Sequence, residues 1–124
     1  SDPSYWVALY HGHLAGVTGI YFTPGDRQEA VWGGWTAYDP ALRSSVSRGK
    51  MLLLQKMVIE AQATGRRLLR LYTSTLPEEA AANRLYDHVG LKVYRTEPLP
   101  DGTGMVLYRQ AELASLYKRA RNTV

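Results

Sequence analysis

From Ala30 to Tyr94 the chain alternates strand-like and helix-like segments, an order that restricts it to a sheet with helices packed against it. Ala30 to Tyr38 is an apolar, aromatic run. It stops at Asp39-Pro40, because proline cannot donate to a ladder and drives its predecessor out of helical space. A loop rich in Ser and Arg follows. Apolar residues at Met51, Leu54, Val58 and Ala61 then predict a helix from about Gly49 to Thr64, with Gly65 as its left-handed cap. Leu68 to Tyr72 reads as the next strand. Leu76-Pro77-Glu78-Glu79 supplies a proline and two acids for a helix first turn, and Ala81, Leu85 and Val89 share the face leading to a second capping glycine, Gly90. Leu91 to Thr96 closes the unit as a strand.

Two strands precede this unit. Tyr5 to Tyr10 and Leu14 to Phe22 flank His11-Gly12-His13 as a hairpin, and Thr23-Pro24-Gly25-Asp26 turns the chain into the Ala30 strand. After Pro98, a loop (PLPDGTG) leads to a short strand, Met105 to Tyr108. Ala111 to Arg121 then predicts an amphipathic tail helix with Leu113, Leu116 and Tyr117 on one side. The expected fold class is α/β (α+β): a mixed, mostly antiparallel central sheet with helices packed on it, in one domain over residues 1–124. Residues 1–4, which carry no initiator Met, read as a trimmed or flexible start, and residues 111–124 as the tail.

The 124 residues are 45% hydrophobic and 21% charged, so the chain is neither disordered nor fibrous. A net charge of +4 with scattered basic residues argues against nucleic acid, although Arg66, Arg67 and Arg70 form a small cluster. With no span-length apolar run and no signal-like start, a cytoplasmic protein with no membrane partner is expected. Zero cysteines exclude disulfides and thiolate chemistry. His11 and His13 lack a third ligand, so no metal is expected.

Three landmarks then stand in order: Pro40 with Arg43 three residues on, the paired Leu52-Leu53 in a helix, and AANRLYDHVGLKVY over residues 81–94. At these residues the chain resembles the GNAT superfamily of acyl-CoA-dependent N-acyltransferases, over roughly Tyr5 to Tyr108. The resemblance implies a GNAT-like fold lacking the family's first strand and helices, acetyl-CoA as co-substrate and no metal. It also implies transfer of an acetyl group to a primary amine of a small molecule or peptide.

The resemblance assigns roles to particular residues. Backbone from Thr36 through Ala37 to Tyr38 would pair with the pantetheine amides like an added strand. Arg43-Ser44-Ser45-Val46-Ser47-Arg48 aligns with the pyrophosphate loop, where bare helix-terminal amides meet an anion. Val46 and Arg48 stand where the family has small residues. In a shifted register Gly49 would be the close-approach residue, with Arg48, Lys50 and the hydroxyls of Ser44, Ser45 and Ser47 adding phosphate contacts. Tyr86 aligns with the tyrosine that protonates the departing thiolate, a role suited to a phenol of pKa near ~10. Asn83, one turn earlier, would reach the pantetheine arm or else lie exposed. Glu79 stands where the family often has Asn. Glu29 lies near where some relatives carry a catalytic carboxylate and is the candidate base.

Trp32 and Trp35 flank Gly33-Gly34 three residues apart, and so fall on opposite faces of a strand. The glycines mark a bulge or a close approach of ligand to backbone. An open sheet edge and the apolar side of the tail helix call for cover, so a homodimer is expected. A catalytically inactive binding or dimerisation module of the same fold is the alternative.

Overall fold

The computed structural model describes residues 4–10, 12–26, 28–38 and 43–116. Its elements run β1 (Ser4–Tyr10), β2 (His13–Tyr21), β3 (Ala30–Tyr38), α1 (Arg43–Ala63), β4 (Leu68–Ser74), α2 (Ala80–Val89), β5 (Lys92–Pro98) and β6 (Met105–Glu112). They form one sheet of order β1-β2-β3-β4-β6-β5, in which β3 and β4 are parallel and every other pair is antiparallel. The mixed, mostly antiparallel sheet read from the sequence is therefore present.

Register fixes the two faces. Val31 pairs with Leu69, and Leu71 with Arg109, so these residues and Gly33 share one face, and both helices pack on it. The core lies there, with Leu54, Met57, Val58 and Ala61 of α1 and Tyr86 and Val89 of α2 against Val31, Leu69 and Leu71. A Cβ on Gly33 would come within 2.4 Å of the Met57 sulfur, and one on Gly34 within 2.7 Å of the Tyr21 ring. The glycines thus make room for the protein's own side chains, α1 on one face and Tyr21 on the other. The bulge lies next door: β2 and β3 shift register between the pairs Val17↔Ala37 and Gly19↔Gly34, which leaves one extra residue in β3.

Both expected helix stops are present. Gly65 (φ +76°) and Gly90 (φ +95°) are left-handed, and the Leu91 amide donates to the Tyr86 carbonyl at 2.9 Å, closing a Schellman-type end.

Three expectations need correction. Helix α1 begins at Arg43, six residues before Gly49, so the Ser/Arg stretch is helical backbone and not loop; Asp39 and Pro40 lie outside the described residues. The buried face of α2 holds Leu85 and Val89 as expected, with Ala82 and Tyr86 beside them, while Ala81 is exposed. At the other end, Ala111 and Glu112 belong to β6, held by pairing with Leu69 and Leu68, and helical backbone starts at Leu113. Leu113 and Leu116 are each 1% exposed in the chain's own core, so they offer no surface to a partner; Tyr117 lies outside the described residues.

Candidate active site

The parallel pair β3–β4 is joined over only three positions, Ala30↔Leu68, Val31↔Leu69 and Trp32↔Arg70. Beyond Trp32 and Arg70 both strands continue, β3 to Tyr38 and β4 to Ser74, without pairing to one another. β3 stays bonded to β2, through Val17↔Ala37 and Gly16↔Tyr38, and β4 stays bonded to β6. A wedge therefore opens in mid-sheet, and the β4-facing backbone of Thr36, Ala37 and Tyr38 has no ladder partner among the described residues. Strands that splay leave donors and acceptors open to water, a side chain or another extended partner. Both helices start at this open end: α1 follows β3, and α2 follows β4 through a 3-10 turn at Pro77–Glu79. Their positive ends favour an anion there.

The backbone of Arg43, Ser44, Ser45 and Val46 forms the first turn of α1, where helical amides lack internal acceptors. Ser47, Arg48, Gly49 and Lys50 lie deeper in the helix. The Gly49 amide lies within the helical ladder and is not a terminal donor.

A hydrogen-bond network fixes α2 to β4. Ser74 donates its hydroxyl to Glu79 and accepts the Leu76 amide at 3.2 Å. Asn83 donates to the Ser74 carbonyl at 2.8 Å, and its oxygen accepts from Thr73 at 2.6 Å and from Arg109 at 3.2 Å. The Asn83 side chain is thus committed to the fold, with one amide hydrogen left over. Arg109, 2% exposed, also donates to the Leu91 carbonyl and to Asp87, each at 2.7 Å, while its Nε has no partner. Sequence reading missed this arginine. Its signal was an Arg at an inward position of β6, matched by Asn83 and Asp87 four apart on α2.

Tyr86 lies in the core cluster at 8% exposure. Burial raises its hydroxyl above the ordinary phenol range; the Glu79 carboxylate adds to the rise and the Arg109 guanidinium opposes it. The phenol therefore stays protonated at neutral pH.

Glu29 sits at the closed end of the wedge, just before the first β3–β4 pair. Its carboxylate takes a hydrogen bond from Arg67 at 2.5 Å, and this contact holds it ionised below the usual carboxylate range. A carboxylate so stabilised is a weaker base than a free one. Arg66 donates to the Ala30 carbonyl at 2.7 Å, and Arg70 pairs with Asp26 at 2.8 Å, so the arginine cluster is spent on internal partners. A hollow of about 400 Å³ lies elsewhere, near Gly90, Lys92, Gln110 and Ser115. Among the described residues no three His, Asp or Glu side chains group as a metal site, and no helix is long and apolar enough to cross a membrane.

No family model matches the sequence, and no curated protein does. Solved structures do. The chain superposes on an acetyltransferase of the GNAT family from Streptococcus pneumoniae with a TM-score of 0.70 at 20% identity, covering 87% of this chain and 65% of that one. For yncA from Salmonella typhimurium, solved with its cofactor acetyl-CoA, the TM-score is 0.70 at 20% identity, with 88% and 64% covered. For the aminoglycoside 6'-N-acetyltransferase from Enterococcus faecium it is 0.73 at 12%, with 90% and 75% covered. The fold is that of the GNAT acetyltransferases, and the chain spans about two thirds of the length of the first two of these structures.

Proposed function

We propose that the chain moves the acetyl group of acetyl-CoA onto a primary amine of a small molecule or peptide. The observation that carries this reading is the wedge between β3 and β4, with α1 and α2 both starting at its open end. In this reading the unpaired backbone of Thr36, Ala37 and Tyr38 pairs with the amides of the pantetheine arm. The first-turn amides of α1, from Arg43 to Val46, meet the pyrophosphate, with the helix dipole favouring its charge. The amine nitrogen attacks the thioester carbonyl, the C–N bond forms as the C–S bond breaks, and the sulfur leaves as a thiolate. Tyr86 donates a hydrogen bond to that sulfur and Asn83 positions the start of α2. The proton lost by the amine passes to water, since Glu29 is held by Arg67.

Calorimetric titration with acetyl-CoA should give saturable, weak binding, and a thiol-detecting reagent should register CoA release when amines are added. The chain has zero cysteines, so that assay has no protein background. Absence of binding at millimolar acetyl-CoA rejects the reading. Binding without thiol release favours the second reading, a non-catalytic binding or dimerisation module, toward which the internal commitment of Asn83 points.

The reading includes a two-fold dimer formed through β1. This strand pairs only with β2 among the described residues, and its outward face shows Tyr5, Val7 and Leu9, each at least 60% exposed. It carries no charge and no proline, whereas the opposite edge, β5, is guarded by Lys92, Arg95, Glu97 and Pro98. Antiparallel pairing about Val7 sets Trp6 against Ala8 of the second copy, a large residue against a small one. Sedimentation should report a dimer that Val7→Lys converts to monomer; a monomer at every concentration, or a dimer indifferent to Val7→Lys, removes β1 as the interface.

A further inference from the structure

The sheet face turned away from α1 and α2 carries a strip of aromatic rings. Trp32 stacks on Tyr21 at 6.1 Å between centroids and meets Tyr108 edge-on at 6.4 Å. Tyr72 lies 6.0 Å from Tyr108, directly across the β4–β6 ladder. The strip gains a fifth ring through a backbone irregularity: β5 and β6 shift register between Val93 and Arg95, leaving Tyr94 without a ladder partner, and its ring turns to Tyr108 at 6.5 Å. A bulge spent on re-aiming one side chain is a device for shaping a surface.

The strip crosses the wedge. Trp32 is the last residue of β3 paired to β4, and Tyr72 stands two residues past the last such residue of β4, at 58% exposure. Its charge is as informative as its rings. Asp26, the acid beneath Trp32, is 8% exposed and accepts from Trp32 Nε1 at 2.5 Å, from Thr23 and from Arg70. Glu97 accepts the Tyr108 hydroxyl and lies 3.8 Å from Arg95. Each carboxylate is thus partnered, while the guanidinium of Arg95 lies 4.1 Å over Tyr108 with its side chain more than half exposed. Such a surface repels a polycation, which needs unpartnered carboxylates, and suits a flat ring with at most one charge.

We propose that this strip selects, as acceptor, a monoamine carrying a flat aromatic group, whose ring lies on the exposed Tyr72, beside Tyr108, while its amine reaches the wedge. The proposal rests on the acetyl-transfer reading above. It is tested by following the tyrosine ring resonances of the 13C-labelled chain during titration with phenethylamine, 2-cyclohexylethylamine and kanamycin, with and without CoA. Phenethylamine should move the Tyr72 and Tyr108 signals saturably. Tyr72→Ala, at an exposed position, should weaken that binding by about three- to tenfold, and the cyclohexyl analogue and kanamycin should bind more weakly than phenethylamine by a similar factor.

No shift under either condition, equal binding of the cyclohexyl analogue, tighter binding of kanamycin, or indifference to Tyr72→Ala overturns the proposal. Ring signals that respond to chain concentration and not to amine assign the strip to a second copy of the chain, and also overturn it. The readout needs no turnover. Loss of acetyl-CoA binding with phenethylamine shifts intact rejects acetyl transfer, whereas thiol release with aliphatic amines and no ring shifts rejects the strip alone.

Discussion

Replacing Arg109 with alanine should lower the unfolding free energy by about 2–4 kcal/mol, read from urea denaturation, because three acceptors lose a donor and a cavity opens under α2. The guanidinium bonds the Asn83 oxygen, the Leu91 carbonyl and Asp87, and each loses differently. The Leu91 carbonyl has no other donor among the described bonds. Asn83 keeps Thr73, and Asp87, with its side chain 70% exposed, is rehydrated at once, so no charge is stranded. That asymmetry keeps the cost below the full penalty of a broken buried ion pair. Arg109→Met separates the contributions: it fills the volume of the stem and removes the unpartnered Nε, and should cost less than the alanine variant. Equal losses in the two variants would mean that the hydrogen bonds, and not the packing, hold α2 to β6.

How much of this was legible in the sequence depended on whether a feature was local. The order of strands and helices from Ala30 to Tyr94 was readable because Gly65 and Gly90 punctuate helices whose apolar residues recur every three to four positions. The start of α1 was not: serines at 44, 45 and 47 favour caps and loops as much as helix, and only the flanking Arg43 and Arg48 lean the other way. The tail helix was drawn too long for a different reason. Ala111 and Glu112 have good helix propensity, but their ladder with Leu69 and Leu68 overrides it.

Features that depend on long-range register were out of reach. Glu29 looks like a free acid at a strand start until the parallel pairing of β3 and β4 brings Arg67 beside it, 38 residues away. Trp32 reads equally well as core or cleft. Register with Arg70 and the bonds to Asp26 decide for the aromatic face. The wedge itself has no sequence signature, because it consists of ladder bonds that two strands do not make.

Tyr86→Phe should lower kcat by about 10²-fold while leaving acetyl-CoA affinity unchanged, since the substitution deletes only the hydroxyl proposed to meet the leaving sulfur. The ring that fills the core remains, so the unfolding free energy at neutral pH should move by no more than about 1 kcal/mol. Burial, reinforced by Glu79 and opposed by Arg109, raises the Tyr86 phenol above its ordinary value, and the sign of that shift sets the pH dependence. A group whose folded pKa is raised contributes stability that is complete below the unfolded pKa, here about 10, and lost as pH rises through the folded value. Wild type should therefore lose stability on the alkaline side faster than the phenylalanine variant, which has nothing to ionise at that position. The two effects separate catalysis from packing. A variant with unchanged kcat but the expected alkaline resistance would leave Tyr86 as a core residue and move the proton donor elsewhere. One with reduced kcat and no change in alkaline stability would mean that the hydroxyl is solvated in the folded chain.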